Sequence, residues 1–243
     1  MKVLLIGDSC EDRYFYGDVK RLSPEAPVPI LEYKRGVTSE GMVKNVYNNL
    51  KAFGIEIDLL TNEEEVIKTR FIDEKSNYQI LRSDEEPEIK PFSHQLPKNN
   101  YDALVISDYD KGFITQEKLF EISNSFVGPV FIDTKKTCIP GNAFIKINES
   151  EFKKVTHFIP DNMIITKGGE GTEYQGKLYP AEKVKVFDVV GAGDTFLAAL
   201  TYAYIKYGTI DKAIPLANKA AAIAVSHTGT YVLKEEDVKT LLC

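Results

Sequence analysis

Short apolar runs recur along the chain, and each ends at glycine or a polar residue. Residues 3–6 precede Gly7-Asp8, 103–106 precede Ser107-Asp108, and 130–132 precede Asp133. Residues 144–147, with Lys146 inside the run, precede Asn148, and 163–165 precede Thr166. Runs of this length without alternation predict strands buried on both faces of a mainly parallel sheet. Between them, helical spacing spans 44–53, closing at Gly54, and 116–126 before Gly128-Pro129, with a short helix expected over 149–155. This alternation predicts an α/β fold, a three-layer α/β/α sandwich. Parallel sheets bind ligands beyond the C-terminal ends of their strands. Asp8, Asp12, Asp108, Asp133 and Asn148 fall at such ends on this reading.

Two stretches break the pattern. Residues 19–34 hold Pro24, Pro27 and Pro29, too many prolines for a central strand. Residues 69–82 alternate apolar and polar positions, as a half-exposed strand pair does. Together they predict a small antiparallel β flap over the main sheet, built from segments near 13–38 and 68–83. The last third is helical in pattern, over 194–207, 211–227 and 235–242. Ala220, Ala221, Ala222 and Ala224 suit a tightly packed helix.

Composition narrows the classes. The 243 residues, 43% hydrophobic and 27% charged, are ordinary for one large globular domain spanning 1–243. The net charge of −6 argues against broad nucleic-acid or membrane-surface binding. No apolar run approaches the ~20 residues of a membrane span. The opening run is too short for a signal peptide, and Asp8, Glu11 and Asp12 follow at once. Cys10, Cys138 and Cys243 have neither paired nor metal-ligand spacing, which predicts a reducing, cytoplasmic setting. His94, His157 and His227 have no partner spacing that suggests catalysis.

The strongest chemical segment is 187–196, Phe-Asp-Val-Val-Gly-Ala-Gly-Asp-Thr-Phe. Gly191, Ala192 and Gly193 just before a helical run let backbone N–H groups converge on an anion at a helix N-terminus. Asp194 is then either a helix-stabilising acid or a general base beside the anion pocket. Better-known phosphate motifs fail. Residues 171–178 have Leu178 where a P-loop needs Ser or Thr, and Phe196 stands where a dinucleotide fingerprint needs a small residue.

Asp188-Val189-Val190-Gly191-Ala192-Gly193-Asp194 resembles the C-terminal signature D-[TV]-x-G-A-G-D of the ribokinase-like (PfkB) sugar kinases. The resemblance implies an anion hole from Gly191, Ala192 and Gly193 for the transferred phosphoryl group, with Asp194 as catalytic base. It extends over nearly the whole chain. Residues 7–14, 21–29 (Arg-Leu-Ser-Pro-Glu-Ala-Pro-Val-Pro), 107–112 (Ser-Asp-Tyr-Asp-Lys-Gly) and 132–135 (Ile-Asp-Thr-Lys) resemble the branch that phosphorylates D-glycero-β-D-manno-heptose 7-phosphate at C1. That implies transfer of the γ-phosphoryl of ATP to give the 1,7-bisphosphate, on a route to nucleotide-activated heptose such as that of the lipopolysaccharide core. In bacteria this kinase is often half of a bifunctional protein. No nucleotidyltransferase half is expected within these residues.

Other roles follow from the resemblance, position by position. Asp12 matches an acid that binds sugar hydroxyls, and Asn45, after Gly41-Met42, matches a sugar-binding Asn; on local grounds they are equally a loop acid and a first-turn helix residue. Asn148 and Glu151 match an N-x-x-E element near Mg²⁺ and phosphate, and are equally an N-cap pair. Thr166, Lys167, Gly168, Gly169 and Gly171 match a loop beside ATP, and are equally a hairpin. Asn218 falls where the last helices border the adenine pocket. Asp188 matches a residue that binds a monovalent cation, K⁺, by the anion hole. Arg13, Lys68, Arg70, Arg82, Lys111 and Lys135 are candidates for the 7-phosphate. The flap implies a sugar cover and a homodimer contact.

The chain also departs from the family. It has Met42 where the family has a second glycine, and short connections at 60–68 and 155–163. A related acceptor, another sugar, sugar phosphate or nucleoside, and a non-catalytic ligand-binding role therefore stand beside the main reading.

Overall fold

The opening apolar run forms β1 (Lys2–Gly7), after which the chain leaves the main sheet at once. The computed structural model describes residues 1–98 and 100–242, so Cys243 lies outside the described residues. A long hairpin follows, β2 (Ser9–Leu22) and β3 (Pro29–Met42), then α1 (Val43–Ala52) and β4 (Glu56–Thr61). β5 (Ile67–Asp73) and β6 (Tyr78–Glu85) make a second excursion. The chain then alternates through β7 (Ala103–Asp108), α2 (Gln116–Ser125), β8 (Val130–Thr134), β9 (Phe144–Asn148), α3 (Glu149–Phe152) and β10 (Met163–Thr166). The hairpin of β11 (Thr172–Tyr174) and β12 (Lys177–Tyr179) precedes α4 (Ala192–Tyr207), α5 (Ile210–Val225) and α6 (Glu235–Leu242).

The main sheet has eight strands in the order β12-β11-β10-β9-β8-β7-β1-β4. It is parallel from β10 to β4, with the β11–β12 hairpin antiparallel at one edge. Alternation along each strand feeds two cores. Val3, Leu5, Val105 and Phe131 pack with α1, α4 and α5 on one face. Leu4, Ile6, Ile106 and Ile132 pack with Leu119 and Ile122 of α2 on the other. That is the three-layer α/β/α sandwich, and it explains why both parities of each strand are apolar.

The flap is a separate four-stranded sheet, β3-β2-β5-β6. It differs from the expected antiparallel form because β2 runs parallel to β5. Both strands leave the same edge of the main sheet, so they run outward in the same direction. The prolines sit in the turn at 23–28 and at the first position of β3, where no central ladder bond is lost. Asp12 lies inside β2 of the flap rather than at a main-sheet strand end. The helix expected over 149–155 closes after Phe152, with Lys153 as its C-cap.

α1 is tied to the C-terminal segment by a buried polar bridge. Asn49 Nδ2 donates to Asn45 O at 2.9 Å, and Asn49 Oδ1 accepts the Leu233 N–H at 3.1 Å. Asn49→Ala leaves that buried N–H without a partner, and should lower unfolding stability by about 1–3 kcal/mol in urea titration.

Candidate active site

The C-terminal ends of the parallel strands face the start of α4. Gly191 caps that helix with a left-handed φ of 77°. Thr195 N–H donates to Gly191 O at 3.0 Å, and Ala192 N–H donates to Val189 O at 3.3 Å. The first turn of a helix leaves its other N–H groups without intrahelical acceptors, so Gly193 and Asp194 present theirs at the positive end of the dipole. The expected three-residue anion hole is corrected in one respect: the Ala192 N–H is already engaged in the turn.

Asp194 is buried. Its carboxylate is held from two other elements. Asn45 Nδ2 of α1 donates to Oδ2 at 3.0 Å, and the Tyr109 hydroxyl, just beyond β7, donates to Oδ1 at 2.8 Å. Burial pushes the Asp194 carboxyl up to about 6, and these two hydrogen bonds oppose the rise. A carboxylate with that affinity for protons is poised for base work near neutral pH.

Beneath the turn lies a buried ion pair. Lys146 Nζ, on β9, stands 2.6 Å from Asp133 Oδ2, on β8. A Cβ on Gly193 would come 2.6 Å from that Nζ, so any other residue there would push the ammonium group aside. Burial alone would lower the Lys146 affinity for protons, but the Asp133 carboxylate outweighs it and the net shift is upward. The lysine therefore stays charged under the helix start.

A cavity of about 620 Å³ opens from this point. Lys146, Asn148, Thr166, Gly168, Gly169, Gly171, Ala192, Gly193 and Asn218 all line it, with Val184, Val186, Ala221, Ala222 and Val225 forming its apolar part. The cavity thus runs from an anion-binding end to a flat apolar slot. Lys167, expected beside the nucleotide, is not among its lining residues; its Nζ pairs with Glu173 Oε2 at 2.5 Å. Asn218 lines the cavity with its amide already used, accepting from the Thr172 hydroxyl at 2.7 Å and donating to Tyr179 O at 2.9 Å.

Three comparisons with known proteins bear on this site. The model of the "pfkB family carbohydrate kinase" matches residues 119–237. The bifunctional protein HldE of a Nitratiruptor species is 30% identical over 296 aligned positions, covering 98% of this chain and 64% of the relative. By that match and that relative, the chain is similar to the pfkB family of carbohydrate kinases. The chain spans about 64% of that relative's length, and the aligned region is longer than the chain's 243 residues, so the relative carries internal segments that are absent here. Ribokinase of Arabidopsis thaliana, solved with ribose and ATP, superposes with a TM-score of 0.69 at 15% identity over 99% of this chain and 98% of that one. Phosphofructokinase-2 of Escherichia coli, solved with potassium, gives 0.69 at 14% identity over 98% and 97%. Both likenesses concern the fold.

Within this fold, the remaining expected residues separate clearly. Asp12, buried, accepts from Arg70 Nη1 at 2.5 Å. Gly41 lies against the same carboxylate; a Cβ there would come 2.2 Å from Asp12 Oδ2. Asp12, Tyr14, Lys68, Arg70 and Arg82 share one face of the flap by register. Arg13 does not. Successive strand residues point to opposite faces, so Arg13 lies on the outer face, bonded to Glu11 at 2.5 Å. Lys111 pairs with Glu86 at 2.5 Å, while Arg82 pairs with Asp84. Lys135 pairs with Glu151 and lies 5.4 Å from the centre of the Tyr109 ring. Asn148 and Glu151 form a full capping box, which is the local reading of that pair. Asp188 accepts N–H groups from Val190 and Gly229, each at 3.0 Å.

Met42 takes a positive φ of 56°, as a glycine would, and its side chain is buried in the core beside Cys10 and Val66. That backbone conformation costs about 1–3 kcal/mol of strain. Sequence reading missed Tyr109 and Lys146 as site residues, and placed Asp133 at a strand end without a partner. The available signal was a lysine inside an otherwise apolar strand. Lys146→Met should destabilise the protein by about 3–5 kcal/mol, because Asp133 is left buried and unpaired. Adding Asp133→Asn should recover most of that loss in the same urea titration.

Proposed function

We propose that the chain is an ATP-dependent sugar 1-kinase acting on D-glycero-β-D-manno-heptose 7-phosphate. The observation that carries the reading is Asp194, buried at the start of α4 where the cavity ends, its carboxylate fixed by Asn45 and Tyr109. The acceptor rests on the motifs at 7–29 and 107–135 and on the likeness to HldE over nearly the whole chain.

Asp194 takes the proton of the C1 hydroxyl, and that oxygen forms a bond to the γ-phosphorus. The bond from the γ-phosphorus to the bridging oxygen breaks, and ADP leaves with that electron pair. The Gly193 and Asp194 N–H groups stabilise the charge on the transferring group, and Lys146 adds a buried positive charge. Adenine occupies the slot of Ala221, Ala222 and Val225. Among the described residues no cluster of three His, Cys, Asp or Glu forms a metal cage. This fits Mg²⁺, which keeps several waters and is held mainly by phosphate oxygens. Asn148 and Glu151 would reach it through water, and the ion would neutralise phosphate charge. Asp188, with a further lone pair on each oxygen, is the candidate ligand for K⁺.

On the flap, the Asp12–Arg70 pair binds sugar hydroxyls. Lys68, without a carboxylate partner among the described residues, supplies the cation for the 7-phosphate. The buried Tyr14 and Thr230 hydroxyls lie beside each other on the inner side of the flap and are candidates to meet the sugar. The outer flap face carries Phe15 and Phe71 with exposed Tyr33 and Leu81, 64% and 57% accessible, which suits a homodimer contact. No helix among the described residues is long and apolar enough to cross a membrane. Use of ATP suits a cytoplasmic enzyme. A second reading, another sugar or sugar phosphate as acceptor, is favoured by the shortened connection at 60–68 on the flap side of the cleft.

ADP release should depend on heptose 7-phosphate and exceed release with fructose 6-phosphate, ribose or no acceptor. Release with another acceptor alone would select the second reading. Asp194→Asn should lower kcat by about 10²–10⁴-fold with KM little changed; near-normal turnover would overturn the base assignment. The base must be ionised to act, so kcat/KM should rise with pH through a limb near 6 and level off above it.

A further inference from the structure

We propose that Tyr109 is a positioning residue for the base: its hydroxyl fixes one oxygen of Asp194, holds the carboxylate in its charged form, and turns its remaining lone pairs toward the acceptor. This rests on the reading of Asp194 as the base.

The geometry begins with the loop beyond β7. Asp8, fully buried, accepts backbone N–H groups from Tyr109 at 2.7 Å, Lys111 at 3.4 Å and Phe113 at 3.4 Å. Asp108 accepts the Asp110 N–H at 3.0 Å and the Thr134 hydroxyl at 2.6 Å. The loop is therefore wrapped around one carboxylate and braced by a second. It projects the Tyr109 ring across the strand ends to the start of α4. Lys68 of the flap and Lys135 beyond β8 lie 5.8 Å and 5.4 Å from the ring centre, and neither replaces its hydroxyl on Asp194.

The two oxygens of Asp194 are then distinguished. Oδ2 receives the Asn45 amide and Oδ1 receives the phenol. Asn45 is itself fixed, since its Oδ1 accepts Asn49 Nδ2 at 3.1 Å. With one donor on each oxygen, the carboxylate cannot rotate, and one lone pair per oxygen is left for a substrate hydroxyl. Burial and the nearby carboxylate raise the Tyr109 phenol well above its usual range, so it remains a donor throughout the working pH range. The titratable and charged groups around Asp194 are Tyr109, Asp133 of β8, Lys146 of β9 and the Cys10 thiol of β2. Asp133 favours the protonated base and Lys146 the ionised one. Cys10 stays a neutral thiol, its affinity for protons pushed up to about 12 by burial. Tyr109 is the group among them that donates a hydrogen bond to the ionised form.

Tyr109→Phe removes the hydroxyl and keeps the ring. The test is the titration of the Asp194 carboxyl by ¹³C NMR of aspartate-labelled protein, with the resonance identified by its absence from Asp194→Asn. This measurement needs no turnover. The midpoint should move up by roughly one pH unit in Tyr109→Phe, the scale of one lost hydrogen bond to a charged group. With the acceptor that supports turnover, kcat/KM should fall at both pH values, and about fivefold further at pH 6 than at pH 8. A residue that only packed the loop would lower activity equally at both pH values and leave the midpoint in place. An unmoved midpoint overturns this proposal. Full turnover in Asp194→Asn overturns the base reading itself, so the two failures are separable.

Discussion

Placing an ionisable carboxylate where water cannot reach it is costly, and the architecture around α4 is organised by that cost. Asp194 is tolerated in charged form only because donors arrive from elsewhere, Asn45 from α1 and Tyr109 from the far end of β7. Neither donor stands alone. Asn45 leans on Asn49, and Asn49 holds the Leu233 N–H near the C-terminus. Tyr109 is placed by Asp8, a second buried carboxylate that the same loop surrounds with N–H groups. A polar chain thus runs from the C-terminal segment through α1 to Asp194 and out through the β7 loop to β1. The candidate site is complete only when these elements dock together, which couples its geometry to the fold rather than to any one loop.

The Lys146–Asp133 pair applies the same logic to the anion-binding end of the cavity. Burial alone would favour the neutral amine of Lys146, and the Asp133 carboxylate beside it reverses that. Together they leave a fixed positive charge under a helix N-terminus, in a setting of low dielectric. Gly193 is the opening through which that charge is felt, because any side chain there would displace the ammonium group. On the proposed reaction, charge developing on a transferring phosphoryl group would meet oriented N–H groups and a lysine that need no rearrangement.

The legible parts of this design were those written locally. Parallel strands buried on both faces must be continuous apolar runs, so β1, β7, β8, β9 and β10 stood out. The turn before α4 was legible because small residues ahead of a helix have few other uses. The Tyr109–Asp194 contact spans 85 positions and leaves no local periodicity. Lys146 was hidden inside a strand run, since its partner Asp133 lies on the next strand. Arg13 was misassigned for a geometric reason: it adjoins Asp12 in sequence, and in a strand adjacency means opposite faces. Met42 hid its positive φ because methionine seldom adopts it, and only the surrounding core holds it there.

The shortened connection between β4 and β5 acquires a structural meaning from Asn62. The Ser9 N–H donates to Asn62 Oδ1 at 2.7 Å, while Asn62 Nδ2 donates to Ser9 O and to Glu64 O. Ser9 opens the path from β1 into β2, and Asn62 opens the path from β4 into β5. One buried amide therefore clamps both crossings from the main sheet to the flap. With its two entry strands tied side by side, β2 and β5 must leave in the same direction, which is why they pair in parallel. The parallel register in turn sets Asp12 opposite Lys68 and Tyr14 opposite Arg70, so the polar face of the flap is fixed by the clamp at its root. A short connection suffices here because hydrogen bonding at the crossing aligns the two entry strands.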